Sequence, residues 1–215
     1  MHVVFDLDGL MFNTEEIYTV VGTELLRRRG FEFTPALKDA MMGLRPQPSF
    51  EMMIRWCGLP ETWEALADES NALFLELLRD RLAPMPGLFD LLSALETAGI
   101  PKAIATSSSR ALAQACLEPL DLLPRFRFVL TAEDIIHGKP DPEIYLQAAA
   151  RFGIAPPEML VLEDSQNGAR AAVAAGAVTV AVPGAHSSTH DFSGVALVAG
   201  SLADPRLYRV IGVRS

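Results

Sequence analysis

Five short apolar runs recur along the chain with helix-like stretches between them: VVFDLD at 3–8, KAIATS at 102–107, FVLT at 128–131, MLVLED at 159–164 and VTVAVP at 178–183. Strands that are apolar throughout are buried on both faces, which requires helices on both sides of a parallel sheet. The spacing therefore predicts an α/β fold, a Rossmann-like parallel sheet covered by helices. One interval breaks the regularity. Residues 9–101 separate the first two runs, too many for a single crossover. TEEIYTVVGTELLRRRG opens at Thr14 as a helix cap and stops at Gly30, and helical stretches follow at 35–42, 49–57 and 60–82. The expected organisation is a helical cap domain at 13–82 inserted into a core of 1–12 and 83–215, with hinges near 10–14 and 82–87.

In open parallel sheets ligands collect beyond the carboxyl ends of the strands, so the residues that end each run belong together. The first run ends in Asp6 and Asp8, the second in Thr106-Ser107-Ser108, and the fourth in Glu163-Asp164. His137-Gly138-Lys139-Pro140 follows the third. On an extended strand residues i and i+2 share a face, which would aim Asp6 and Asp8 into one small volume. Such a pair needs a divalent cation or a held proton. Carboxylate oxygens in this number suit magnesium, while the hydroxyls, their backbone amides and Lys139 suit a phosphate. The competing reading of Asp8-Gly9 is a solvated turn. For Lys139 it is a surface lysine, weakened because the chain has only three lysines and one falls at this place.

Other polar residues read more simply. Asp141 with Pro142 is a helix start, and Ser165 caps a helix or orients Asp164. His186 and His190 sit in a Gly- and Ser-containing loop where i, i+4 spacing brings no convergence, and Trp56 and Trp63 read as cap core. A net charge of −9 disfavours nucleic-acid polymers and anionic membrane, leaving a small anion in a local basic pocket as the compatible partner. No apolar run approaches a membrane span. Cys57 and Cys116 are too few for a disulfide framework, so the expected setting is a reducing cytoplasm, with no obligate protein partner evident.

FDLDG, a Ser/Thr after an apolar strand, GKPDPEIY and LEDSQNG, in that order, resemble the four motifs of the haloacid dehalogenase superfamily. With the helical insertion after the first motif, they are similar to its β-phosphoglucomutase-like phosphatases. The resemblance implies a magnesium-dependent phosphatase that hydrolyses a small phosphorylated metabolite through an aspartyl-phosphate on Asp6. Asp8 then matches the acid/base, Ser107 (or Thr106, one residue earlier) the phosphate-binding hydroxyl, Ser108 an amide donor, and Lys139 the motif-three lysine. Asp6, the Asp8 carbonyl, Glu163 and Asp164 match the magnesium site. The alternatives are a phosphosugar mutase, whose cap histidine falls where this chain has Tyr18, and a non-catalytic phosphate-binding module. A dehalogenase would lack Asp8 and the metal acids. A phosphonatase would need a cap lysine as imine former, and Lys38 is the only one. Met11, Phe12, Glu15, Arg45 and Gln47 are the residues expected to face the substrate from the cap side.

Overall fold

The computed structural model describes residues 1–214. Its centre is a parallel sheet of six strands: β1 His2–Phe5, β2 Lys102–Ala105, β3 Val129–Leu130, β4 Met159–Glu163, β5 Val178–Ala181 and β6 Leu197–Val198. Their order across the sheet is β3-β2-β1-β4-β5-β6, which puts β1 in the middle. Val4 pairs with Ala103 on one side and Val161 on the other, so the Asp6 end of β1 lies between the ends of β2 and β4. The five apolar runs all became strands. β6 was not anticipated, because two residues carry no readable period.

Alternation along β1 divides the core. Val3 and Phe5 face one side, with Leu91, Leu112, Cys116 and Leu207 from α5 Leu88–Thr97, α6 Arg110–Leu117 and α9 Pro205–Ile211. Val4 faces the other, with Tyr145 and Ala148 from α7 Glu143–Phe152 and with Ala171 and Ala172 from α8 Gln166–Ala174. Within ARAAVAAGA, Ala171 and Ala172 form the contact face of α8, where small side chains let the helix lie close on the sheet.

The inserted segment forms α1 Thr14–Arg27, α2 Pro35–Met41, α3 Pro46–Cys57 and α4 Trp63–Arg81, with Leu26, Leu37, Met53, Leu59 and Leu66 as their own buried cluster. Several bounds differ from expectation. Asn13, not Thr14, takes the cap position of α1, because the Thr14 hydroxyl is spent accepting from the Gly9 amide at 3.1 Å. Helix α3 starts at Pro46, since proline is tolerated in a first turn. Trp56 is 54% exposed and is not cap core.

The two connections between helices and sheet pair with one another. Phe12 and Pro84 form an antiparallel bridge, and the Met85 amide donates to the Met11 carbonyl at 2.9 Å. Asn13 locks the crossing: its Oδ1 accepts from the Ala83 amide at 2.7 Å and its Nδ2 donates to the Arg81 carbonyl at 3.0 Å. Met11 and Phe12 are fully buried in the main core beneath this ribbon. They face the core rather than a substrate, because backbone pairing at 11–13 turns their side chains inward.

Candidate active site

The sheet delivers its polar residues to one end. Strand β1 stops at Phe5, and the Asp6 amide makes one more ladder bond, to Leu162 at 3.0 Å, before the chain turns through Leu7 to Gly9. Asp6 and Asp8 therefore converge through a turn rather than by strand alternation. Beside Asp6, the buried Lys139 ammonium donates to Asp6 Oδ1 at 2.5 Å, Glu163 Oε1 at 2.6 Å and the Ala105 carbonyl at 3.2 Å. Its three donors are thus committed.

Glu163 is enclosed on every side. Tyr145 Oη donates to its Oε1 at 2.5 Å, and the amide and hydroxyl of Ser165 donate to Oε2 at 3.3 and 3.1 Å. A Cβ at position 168 would sit 1.8 Å from Glu163 Oε1, so only glycine there leaves room for the carboxylate. Ser165 also caps α8, its hydroxyl accepting from the Gly168 amide at 3.1 Å. Glu163 lies in the acid cluster as expected, but both its oxygens are engaged by protein donors, which makes it first a brace for Lys139.

Asp6, Glu163 and Asp164 offer oxygens that all lie within 4.8 Å of one another, and all three are buried. Burial pushes the Asp6 carboxyl well up, with Lys139 opposing and the Glu163 and Asp8 charges adding to the rise. Burial likewise raises Asp164, helped by Asp6 and Glu163. Lys139 is held well above its ordinary range because its two carboxylate partners outweigh its own burial. Three buried acids against one ammonium leave an excess of negative charge in a low-dielectric volume. The donor set is all oxygen and fits magnesium rather than a soft metal.

Across the site, Asp8 is oriented by two hydroxyls. Its Oδ2 accepts from Thr106 Oγ1 at 2.9 Å and from Ser108 Oγ at 2.7 Å, while the Ser108 amide donates to Thr106 Oγ1 at 3.0 Å. Tyr18 Oη lies 3.2 Å from Ser108 Oγ, and its ring stacks on Phe74 at 4.5 Å. Ser107 lines the same cavity, with its hydroxyl donating to the Gly43 carbonyl at 3.0 Å. As a phosphate ligand it would have to exchange that bond.

The cavity between sheet end and helices is bordered by Asp6, Asp8, Asp164 and Ser107 on one side and by Glu15, Tyr18 and Lys38 on the other. Burial and the Asp8 charge raise Glu15 to about 7, with Lys38 in opposition. Lys38 Nζ bonds Thr19 Oγ1 at 2.6 Å and meets His186 Nδ1 at 2.7 Å. Glu15 thus joins the site as expected, and Lys38 joins it unexpectedly. Its ammonium reaches across to Thr19 of α1, and a lone lysine in a helix gives no sign of that reach.

Arg45 and Gln47 do not join. Gly43 adopts a φ of +76°, and the chain beyond it carries the Arg45 side chain over Gly138, where it donates to the Ile136 carbonyl at 2.5 Å. Arg45 therefore spans from helices to core outside the cavity, and Gln47 pairs with Glu51 along the exposed face of α3. Asp141 accepts from the Glu143 amide at 3.0 Å, the helix-start role expected of it.

A family model described as haloacid dehalogenase-like hydrolase matches residues 3–182. Over 209 residues the chain is 35% identical to a probable pseudouridine-5′-phosphatase of Drosophila melanogaster, covering 94% of this chain and 90% of that protein. It is 31% identical over 177 residues to a fructose-1-phosphate phosphatase of Escherichia coli, covering 81% and 92%. In fold it is similar to CbbY of Rhodobacter sphaeroides in complex with phosphate, with a TM-score of 0.83, 24% identity and 94% of each chain covered. With the strand-end acids, the motif-three lysine and the helical insertion in place, the chain belongs to the haloacid dehalogenase-like hydrolases.

Proposed function

We propose that this chain is a magnesium-dependent phosphatase that cleaves a small phosphate monoester by way of an aspartyl-phosphate on Asp6. The observation that carries the reading is the buried contact of Asp6 with Lys139, braced by Glu163, within the same cavity as a separately oriented Asp8. Asp6 attacks phosphorus through the oxygen that Lys139 leaves free, and the ammonium offsets charge gathering on the transferring group. Both hydrogen bonds to Asp8 fall on Oδ2, so Oδ1 is the oxygen that carries a proton to the departing alkoxide. The same oxygen then takes a proton from the water that releases phosphate. Amides following β2 and the Ser107 hydroxyl hold the remaining phosphoryl oxygens. Asp6, the Asp8 carbonyl and Asp164 would hold magnesium, with Glu163 alongside. When bound, the ion neutralises the repulsion between carboxylate and phosphate.

Hydrolysis is favoured over phosphosugar transfer by Tyr18, whose phenol is tied to Ser108 and whose ring is stacked on Phe74. A phenol in that place does not shuttle a proton near neutral pH as an imidazole does. The relatives' names span a nucleoside phosphate and a sugar phosphate, so they do not choose the alcohol. The test is phosphate release from p-nitrophenyl phosphate with magnesium, after EDTA, and after magnesium is restored. Turnover should vanish and return. A folded protein without turnover on any phosphoester would leave the binding-module reading instead.

A further inference from the structure

The cavity that holds the acids also has apolar walls. Phe33, Met42, Phe50 and Met53 line it, with Ser70 and Asn71 of α4 as its polar patch. Ser70 is buried, yet neither it nor Asn71 makes a side-chain hydrogen bond with any described residue, which leaves both free for a guest.

Phe33 is held as a platform. Gly22 stands in the interior of α1, where glycine costs helix stability relative to alanine. A Cβ there would lie 2.6, 2.8 and 2.9 Å from three ring carbons of Phe33. The missing side chain is filled by the ring, which rests against the helix backbone while also lining the cavity. Its chain position is fixed as well. The Phe31 amide bonds the Leu26 carbonyl at 2.9 Å, and Thr34 caps α2 by accepting from the Leu37 amide. A seated aromatic ring with methionines nearby suits a flat, polarisable guest. A polyhydroxylated chain would instead leave its hydroxyls facing carbon, at a desolvation cost.

We propose that the alcohol carried by the substrate is a nucleoside, so that the enzyme acts on nucleoside 5′-monophosphates, with the base on Phe33 and its polar edge read by Ser70 and Asn71. Glu15, which lines the same cavity, accepts from the ribose hydroxyls. Phe33 is the specificity-determining residue. The assignment rests on the phosphatase reading and names the substrate class of that same site.

The experiment compares kcat/KM for nucleoside 5′-monophosphates with that for pentose, hexose and glycerol phosphates, in wild type and in Phe33→Ala. Base stacking on an aromatic side chain accounts for roughly tenfold or more in affinity. Nucleotides should therefore lead the sugar phosphates by at least about that factor, and their lead should collapse in Phe33→Ala and recover in Phe33→Tyr. A lead for sugar phosphates, or a nucleotide-to-sugar ratio that Phe33→Ala leaves unmoved, overturns the assignment. Binding of uridine and adenosine monophosphates to Asp6→Asn, measured by calorimetry against ribose 5-phosphate, reads the pocket without turnover. Tight nucleotide binding by a chain that hydrolyses nothing would keep this pocket assignment and sink the phosphatase reading. Turnover with equal binding of nucleotide and ribose phosphate would do the reverse.

Discussion

Lys139 shows how much of the site depends on single atoms. Its ammonium is buried and is stable there because Asp6 and Glu163 each supply a carboxylate oxygen within 2.6 Å. Removing one partner of a buried ion pair strands the other charge and costs about 3–5 kcal/mol. Glu163→Gln should fall near the low end, since the amide oxygen still accepts, and should lower kcat by turning Lys139 away from Asp6. Chemical denaturation and steady-state kinetics on one preparation check both. Gly168→Ala is the sharper test of the same contact. Its new Cβ would overlap Glu163, and overpacking of this kind costs about 1–3 kcal/mol. The variant should lose activity together with stability, and retention of either would show that Glu163 can move. For the acid/base, Thr106→Val removes one of two donors to Asp8. It should slow an alkyl phosphate more than p-nitrophenyl phosphate, whose leaving group hardly needs a proton. Asp6, Asp8, Lys139 and Asp164 were legible in the sequence because each ends, or closely follows, a run that had to be a strand. Arg45 was not, because the direction of its side chain hangs on the left-handed Gly43 before it.

At the level of elements, the runs gave five strands and the intervals gave the helices, while the bounds were decided by local hydrogen bonds that composition does not show. Helix α1 stops at Arg27 although LLRRRG continues its pattern, and β1 stops at Phe5 although VVFDLD reads through. Asn13 illustrates the point. Its side chain is the clasp of the two-strand connection, a role that no pattern in the sequence marks. Asn13→Ala should cost about 1–2 kcal/mol for two lost hydrogen bonds, and hydrogen exchange at the Ala83 amide should quicken. A second element-scale contact joins α5 to β2. Hydrogen bonds from Arg125, and then from Lys102, hold Glu96 down to about 2, against its usual 4.5. A carboxyl depressed on folding stabilises fully above its unfolded pKa, and the contribution is lost as pH falls from about 4.5 towards 2. Solvent screening limits the measurable part to about 1 kcal/mol. Urea midpoints of wild type and Glu96→Gln should therefore differ at pH 7 and draw together near pH 2 to 3. A difference independent of pH would assign the loss to packing around the buried Lys102.

For the whole molecule, the contacts between the inserted helices and the sheet decide how the cavity closes. Helices α1 and α4 pack their apolar residues on the main core, Tyr18 meets Ser108, and the other polar contacts gather on α2 and the loop after it. Asn167 donates to the Met42 carbonyl at 2.9 Å, Ser107 to Gly43, and Arg45 to Ile136, while Lys38 meets His186. Each core partner lies beyond a different strand: Ser107 after β2, Ile136 after β3, Asn167 in the first turn of α8 after β4, and His186 after β5. One short segment therefore contacts three loops and one helix start, while the connections into and out of the insertion pair with each other at Phe12 and Pro84. This division makes Arg45 a tie between the inserted helices and the core outside the cavity, so its loss is expected to act on every substrate alike. Arg45→Ala should lower kcat/KM by about fivefold, near 1 kcal/mol for one hydrogen bond from a charged donor, and by a similar factor for a nucleotide, a sugar phosphate and p-nitrophenyl phosphate. Gly138→Ala, which would force Arg45 off its seat, should reproduce the loss without removing the arginine. A loss confined to one substrate would mean that Arg45 swings into the cavity to bind it, and equal efficiency in wild type and both variants would remove this contact from the closing step.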